Sequence, residues 1–217
     1  MDAPIDPLVA AAIHDAKNAL MALDTQLAAA AHHRPAAADF RTARASVSRI
    51  ATQLTELLTL YRAQNGALRL AIDDHDLADF IDDLLAELGP SPAGIALAVD
   101  RSAALTLGAW AFDAYLVKLA LLDALRNAQR HAATRVALAL DAPPEGGIRF
   151  SIADDGPGFP ETLLAGADAV TSQSGTGLGI AFARLIAARH ATPNGRHGQV
   201  ELANPTTGGA RLTLTLP

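Results

Sequence analysis

The first third of the chain constrains the fold most, because its larger apolar residues keep a regular beat. From Ile13 they fall at Ile13, Ala16, Leu20, Leu23 and Leu27, in alternating steps of three and four. That is the seam of a coiled coil, in which helices meet along every third and fourth residue. His32-His33-Arg34-Pro35 interrupts the series, and a second one runs Phe40, Ala43, Val47, Ile50, Leu54, Leu57 and Tyr61. Alanine is so frequent here that helix propensity discriminates little, and the period carries the reading. Two helices joined by a short turn are predicted. A lone hairpin cannot hide both stripes, so two copies forming a four-helix bundle are the economical solution, and a homodimer is expected.

Gln64-Asn65-Gly66 is a helix-stop signal, and the pattern changes after it. Short β-like runs (Leu68 to Ile72, Ile95 to Val99, Arg135 to Leu140, Ile148 to Ala153, Gln199 to Ala203, Arg211 to Leu216) alternate with helical stretches near Leu77 to Leu88, Trp110 to His131 and Leu178 to His190. Pro143 to Gly147 and Asn204 to Gly209 read as hairpin connections. The expected organisation is a helical hairpin over 1–66 and an α/β sandwich over 67–217.

Half of the 217 residues are hydrophobic, which excludes disorder as a description of the whole. The formal charge of −6 lacks the basic excess that draws a protein to nucleic acid or an anionic bilayer. The absence of cysteine excludes a disulfide framework, a thiolate zinc site and a cysteine nucleophile. No apolar run approaches the ~20 residues needed to span a bilayer, and the N-terminus, with Asp2 and Asp6, lacks a signal peptide's basic region. A cytoplasmic protein without membrane insertion or nucleic-acid partner is expected.

Four segments are candidates for chemistry. His14 lies one position past the Ile13 seam, at the flank of the stripe, and Asn18 shares its face one turn on. Asp15 beside the imidazole can fix its tautomer so that the other ring nitrogen is a nucleophile; taken alone, the histidine equally fits an ordinary helix surface. Asp123, Asn127, Arg130 and His131 share one face of the Trp110 to His131 helix. An amide oxygen suits Mg²⁺ and a neighbouring cation suits phosphate, although a solvated face has the same appearance. Asp154-Asp155-Gly156-Pro157-Gly158 follows a β-run: a carboxylate at a strand end can accept a purine's exocyclic amine, while glycines let backbone approach a flat ring. The bland alternative is a turn. Gly175-Thr176-Gly177-Leu178-Gly179 opens a helix whose free amides can cradle phosphate, a weak signal by itself.

In this order the four segments resemble the catalytic core of a two-component sensor histidine kinase. The fold class that this implies is α plus α/β, in which an antiparallel hairpin forms a dimeric four-helix bundle ahead of a Bergerat-type (GHKL) ATP-binding sandwich with a mixed sheet. The resemblance includes Leu57 to Gly66, similar to the family's usual end of the second helix. It implies ATP and Mg²⁺ as cofactors, His14 as phosphoacceptor, Asp15 as its acid/base partner and Asn18 as a residue that orients water for dephosphorylation. It also implies Asn127, with Asp123 beside it, as the Mg²⁺ site and Arg130 and His131 near the phosphates. Asp154 would bind the adenine amine, with Gly156 and Gly158 along the base and Gly175, Thr176, Gly177, Leu178 and Gly179 over the phosphates. The implied activity is autophosphorylation of His14 and transfer to an aspartate of a response-regulator receiver domain, with phosphatase activity as a further option.

The chain departs from the family at several places. Ala19 stands where many members have proline, and Asp123 replaces the first of two customary asparagines. Only 16 residues (159–174) separate Gly158 from Gly175, with no Lys or Arg between Phe159 and Arg184 and Gln173 where some relatives carry lysine. Phosphoryl transfer needs cations on the equatorial oxygens, so the bare lid keeps a rival open: a histidine phosphotransferase whose degenerate ATP domain serves as a docking surface. A Bergerat-fold ATPase without phosphohistidine fits the hairpin less well. Residues 191–197 look inserted after the last helix. His32, His33, His75, His190 and His197 read as surface or capping residues. The first helix begins almost at Met1, so the signal is expected from a separate sensor protein, or the chain is part of a longer one.

Overall fold

The computed structural model describes residues 37–165 and 178–217, together with Ala16 and Leu23. The first predicted helix with His14, Asp15 and Asn18, the turn at His32 to Pro35, and Gly175, Thr176 and Gly177 lie outside the described residues, as does the pairing of the two helices. The chain divides into two compact units; among the described residues the first changes to the second between Leu68 and Arg69, and Leu178 and Gly179 group with the first.

In the first unit the second predicted helix is present as α1 (Ala37–Gln64). Its end follows from the stop signal. The Gly66 N–H donates to the Ala63 carbonyl at 3.1 Å and the Ala67 N–H to the Arg62 carbonyl at 2.8 Å. This pair of reversed bonds satisfies carbonyls that would otherwise be orphaned. The predicted seam divides over α1: Ile50 is buried and Leu57 half-buried, whereas Leu54 and Tyr61 are 46% and 58% exposed. Off the seam, Glu56, Thr59 and Ala63 are buried and Leu58 is 56% exposed, beside Leu54 and Tyr61. The spacing of those three, one and two turns apart, makes an apolar row that nothing in a single described chain covers.

The second unit begins with β1 (Asp73–Asp76) and α2 (Leu77–Leu88), followed by β2 (Ala96–Asp100), the short α3 (Ser102–Leu107), β3 (Ala109–Phe112) and α4 (Ala114–His131). After these come β4 (Arg135–Asp141), β5 (Ile148–Asp154), α5 (Glu161–Leu164), α6 (Leu178–Arg189), β6 (Gln199–Ala203) and β7 (Arg211–Leu216). A five-stranded sheet has the order β2-β4-β5-β7-β6. β2 runs parallel to β4 and the other pairs are antiparallel, so the sheet is mixed as expected. Both predicted hairpin turns fall between antiparallel neighbours, Pro143 to Gly147 between β4 and β5 and Asn204 to Gly209 between β6 and β7.

Strict alternation decides which face of the sheet is covered. Val136, Leu138 and Leu140 of β4, Ile148, Phe150 and Ile152 of β5, and Leu212, Leu214 and Leu216 of β7 are all buried. The intervening Ala137, Ser151 and Thr213 are not. The buried set packs beneath α4, whose Leu116, Leu119, Leu122 and Leu125 are buried in turn. Each such side chain contributes roughly 1.5–3 kcal/mol by leaving water. Phe80 of α2 meets Phe112 of β3 edge-on at 4.9 Å and Phe150 of β5 at 5.8 Å between ring centres, which ties α2 and β3 to the sheet.

Three sequence expectations are corrected. Leu68 to Ile72 alternates like a strand, yet it is not one: the Ala71 N–H donates to the Asp113 carboxylate at 2.9 Å, and pairing starts only at Asp73, opposite Phe112. The helix predicted from Trp110 starts at Ala114, because Asp113 caps it by accepting from the Leu116 N–H at 3.0 Å. Trp110 to Phe112 belong to β3.

The third concerns His190, read as a surface or capping residue: it is buried, and it caps the end of α6. Its Nε2 accepts from the Asp113 N–H at 3.0 Å, so Nδ1 carries the proton and donates to the Ile186 carbonyl at 2.8 Å. Burial lowers its pKa from the ordinary 6.5, against the Ile186 carbonyl and the Asp113 charge, which favour the cation. A depressed histidine pKa stabilises the fold fully above the unfolded value and loses that contribution as pH falls through the folded value. Unfolding followed by the single Trp110 is therefore expected to show stability declining as pH drops below 6.5. His190→Gln should flatten that decline; an equally steep decline in the variant would exclude His190 as its source.

Candidate functional site

The Asp154 segment leaves the end of β5 and turns at once. The Asp154 N–H donates to the Ala210 carbonyl at 2.9 Å and the Asp155 N–H to the Arg135 carbonyl at 3.2 Å, which extends the sheet by one residue on each side. The two adjacent aspartates then take different work. One oxygen of the exposed Asp155 accepts the N–H groups of Ala133, Thr134 and Arg135 at 2.9, 3.0 and 3.0 Å. The other accepts the Thr134 hydroxyl. That hydroxyl and the Thr134 and Arg135 amides hold the Asp155 carboxyl well below the ordinary carboxylate range. Asp155 thus closes the corner between α4 and β4.

Asp154 is half-buried, and its Oδ1 accepts the Gly156 N–H at 2.8 Å. That bond fixes the plane of the carboxylate and leaves Oδ2 as an acceptor for a ligand. Gly156 is held close for a steric reason: a Cβ there would stand 2.3 Å from the His131 carbonyl oxygen and 2.8 Å from Asp154 Oδ1. The loop carrying Asp154 therefore crosses the last turn of α4, one turn beyond Asn127. Gly158 meets Asn204, not open space, since a Cβ on it would be 2.9 Å from the atoms of the Asn204 amide.

On α4, the half-buried Asp123 and Asn127 share a face with the exposed Arg130 and half-buried His131. Burial raises the Asp123 pKa, while first Arg130 and then Arg126 draw it back down. Among the described residues no three His, Cys, Asp or Glu side chains converge on one point. A Mg²⁺ ion at Asn127 would therefore complete its shell with phosphate oxygens and water, as this ion commonly does. The residues present fit a nucleotide: a carboxylate with one oxygen fixed and the other left for an amine, and an amide with a guanidinium one turn away. Leu178 and Gly179 open α6.

Two site residues escaped sequence reasoning, Asp155 and Asn204. For Asp155 the signal was present as a doubled aspartate, but nothing local distinguishes the partner that is consumed by backbone amides. Asn204 sits in a turn whose composition explains it without any site.

Residues 112–217 match the family described as Histidine kinase-, DNA gyrase B-, and HSP90-like ATPase. The chain is 30% identical over 151 residues to Sensor-type histidine kinase PrrB of Mycobacterium tuberculosis, which covers 66% of this chain and 29% of that protein. It is 25% identical over 187 residues to Sensor protein KdpD of Rathayibacter rathayi, covering 82% of this chain and 20% of that protein. The chain thus spans less than a third of the length of either curated relative. Among solved structures, Acinetobacter baumannii histidine kinase AdeS is similar with a TM-score of 0.60 at 17% identity, over 94% of this chain and 96% of that one. The cytoplasmic segment of histidine kinase QseC is similar with a TM-score of 0.51 at 20% identity, over 80% and 91%. At those identities the two structures speak to the fold alone.

Proposed function

We propose that this chain is a sensor histidine kinase catalytic core, with residues 112–217 as its ATPase domain, and that it autophosphorylates His14 and passes the phosphoryl group to an aspartate of a response-regulator receiver domain. The domain implies ATP use, typically with Mg²⁺. The observation that carries the finer reading is Asp154, a half-buried carboxylate fixed by Gly156 at the end of β5 beside the last turn of α4.

Asp154 Oδ2 would accept the adenine amine, with Gly156 and Gly158 along the base. Asn127, with Asp123 beside it, would hold Mg²⁺, Arg130 and His131 would serve the phosphates, and Gly175 to Gly179 would supply amides to them. When bound, ATP with Mg²⁺ supplies a γ-phosphoryl group whose charge is already partly neutralised. Asp15 would accept a hydrogen bond from one imidazole nitrogen of His14, leaving the other as the nucleophile, and Asn18 would orient water for dephosphorylation of the regulator. The exposed row of Leu54, Leu58 and Tyr61 supports a homodimer, since a second copy would cover it. Among the described residues no helix is long and apolar enough to cross a membrane. We place this core in the cytoplasm, with its input from a sensor segment or a separate sensor protein.

Incubation with labelled ATP and Mg²⁺ should place acid-labile, base-stable label on the wild type, eluting as a dimer, and none on His14→Gln. The label should then move to an added receiver domain. A wild type that takes up no such label overturns the kinase reading. The span free of Lys and Arg between Phe159 and Arg184 gives the alternative its footing: if neither label nor nucleotide binding is found, a histidine phosphotransferase with a docking ATP domain takes its place.

A further inference from the structure

We propose that Asn204 is a positioning residue for nucleotide binding, acting through the loop that carries Asp154. This rests on the nucleotide reading of Asp154. The loop from Asp154 to Phe159 has two ends, and the β6–β7 turn grips both. At the near end, Ala210 accepts the Asp154 N–H at 2.9 Å, and Gly209 lies so close that a Cβ on it would be 1.8 Å from the Asp154 carbonyl oxygen. At the far end, the Asn204 amide pairs with both backbone groups of Phe159: Oδ1 accepts its N–H at 2.7 Å and Nδ2 donates to its carbonyl at 2.8 Å. An amide is the one neutral side-chain group that can match a peptide's donor and acceptor together, as a neighbouring strand would.

Between these grips, Gly158 adopts φ +86° and lies against the Asn204 amide, where a Cβ would come within 2.9 Å of it. Asn204 is exposed, so its bonds add little to global stability. They do fix where the loop ends. With the far grip released, Gly156 to Phe159 can swing on the Asp154 end, and the carboxylate loses the plane that the Gly156 N–H gives it.

The test is titration of fluorescent ADP against the whole chain, with Trp110-monitored unfolding alongside. Asn204→Ala should weaken binding by about tenfold, the range of one lost hydrogen-bond pair, and leave the unfolding midpoint nearly unchanged. Asn204→Asp keeps the acceptor toward Phe159 N–H but sets a second oxygen against the Phe159 carbonyl, so its loss should be at least as large; it also serves if the alanine variant does not fold. Because Asn204 acts through Asp154, adding Asn204→Ala to Asp154→Asn should cost much less than it does alone, a coupling that simple destabilisation would not produce. Unchanged binding in both Asn204 variants, or a full penalty on top of Asp154→Asn, overturns the proposal. Should Asp154→Asn alone bind like the wild type, the nucleotide reading itself falls and takes this inference with it.

Discussion

Asp154→Asn is expected to raise the Kd for fluorescent ADP by about 10- to 100-fold. The reason is a count of acceptors. In the wild type one carboxylate oxygen accepts the Gly156 N–H at 2.8 Å and the other is left for an exocyclic amine. Asparagine offers a single oxygen for the two donors, so its NH₂ must face either the Gly156 N–H or the ligand amine. Losing a charge-assisted hydrogen bond costs about 1.5–3 kcal/mol, and 1.4 kcal/mol is tenfold in affinity. The corner should remain intact, because Asp155 and not Asp154 ties α4 to β4. Equal affinity in the variant would show that Asp154 does not touch the ligand.

The largest stability effect is expected at Gly209. Its φ is +84°, in the left-handed region where a Cβ is penalised, and that Cβ would overlap the Asp154 carbonyl oxygen at 1.8 Å. Strain of about 1–2 kcal/mol adds to an overlap that can be relieved only by moving β5 away from the turn, about 1–3 kcal/mol more. Gly209→Ala should therefore lose roughly 3 kcal/mol or more in denaturant unfolding followed at Trp110. The neighbouring Gly208 isolates the overlap from the strain: its φ is +91°, with nothing within 4 Å of the same ideal Cβ. Gly208→Ala should cost only the backbone part. Equal losses at the two positions would mean that the turn does not press on Asp154.

What could be read in advance follows from how each element is encoded. The strands β6 and β7 and the helix α2 were legible to the residue, and β4, β5 and α6 to within one residue. Each of them carries its own alternation or helical period and is bounded by turn residues. β1 was not legible, since Asp73-Asp74-His75-Asp76 has no apolar alternation and is a strand only because β3 lies beside it. The apolar row before it, Leu68 to Ile72, looked more like a strand and is tied instead to Asp113, 42 residues away from Ala71. That His190 is buried, and not a surface residue, could not be read for the same reason, its partner Asp113 being 77 residues distant.

For the site, the sequence by itself determined the types and order of the groups: a carboxylate at a strand end, glycines after it, and an asparagine one turn from the end of a long helix. These are local facts, set by residue chemistry and the helical and strand periods. The tertiary structure alone decided the division of labour within Asp154-Asp155, the seat of Gly156 on the His131 carbonyl, and the grip of Asn204 on Phe159 from 45 residues away. It also split the predicted α1 stripe into a buried Ile50 and an open Leu54 and Tyr61. The physical reason is common to all of these. A hydrogen bond or a steric contact between distant segments depends on where folding brings them together, and no periodicity within either segment records its partner.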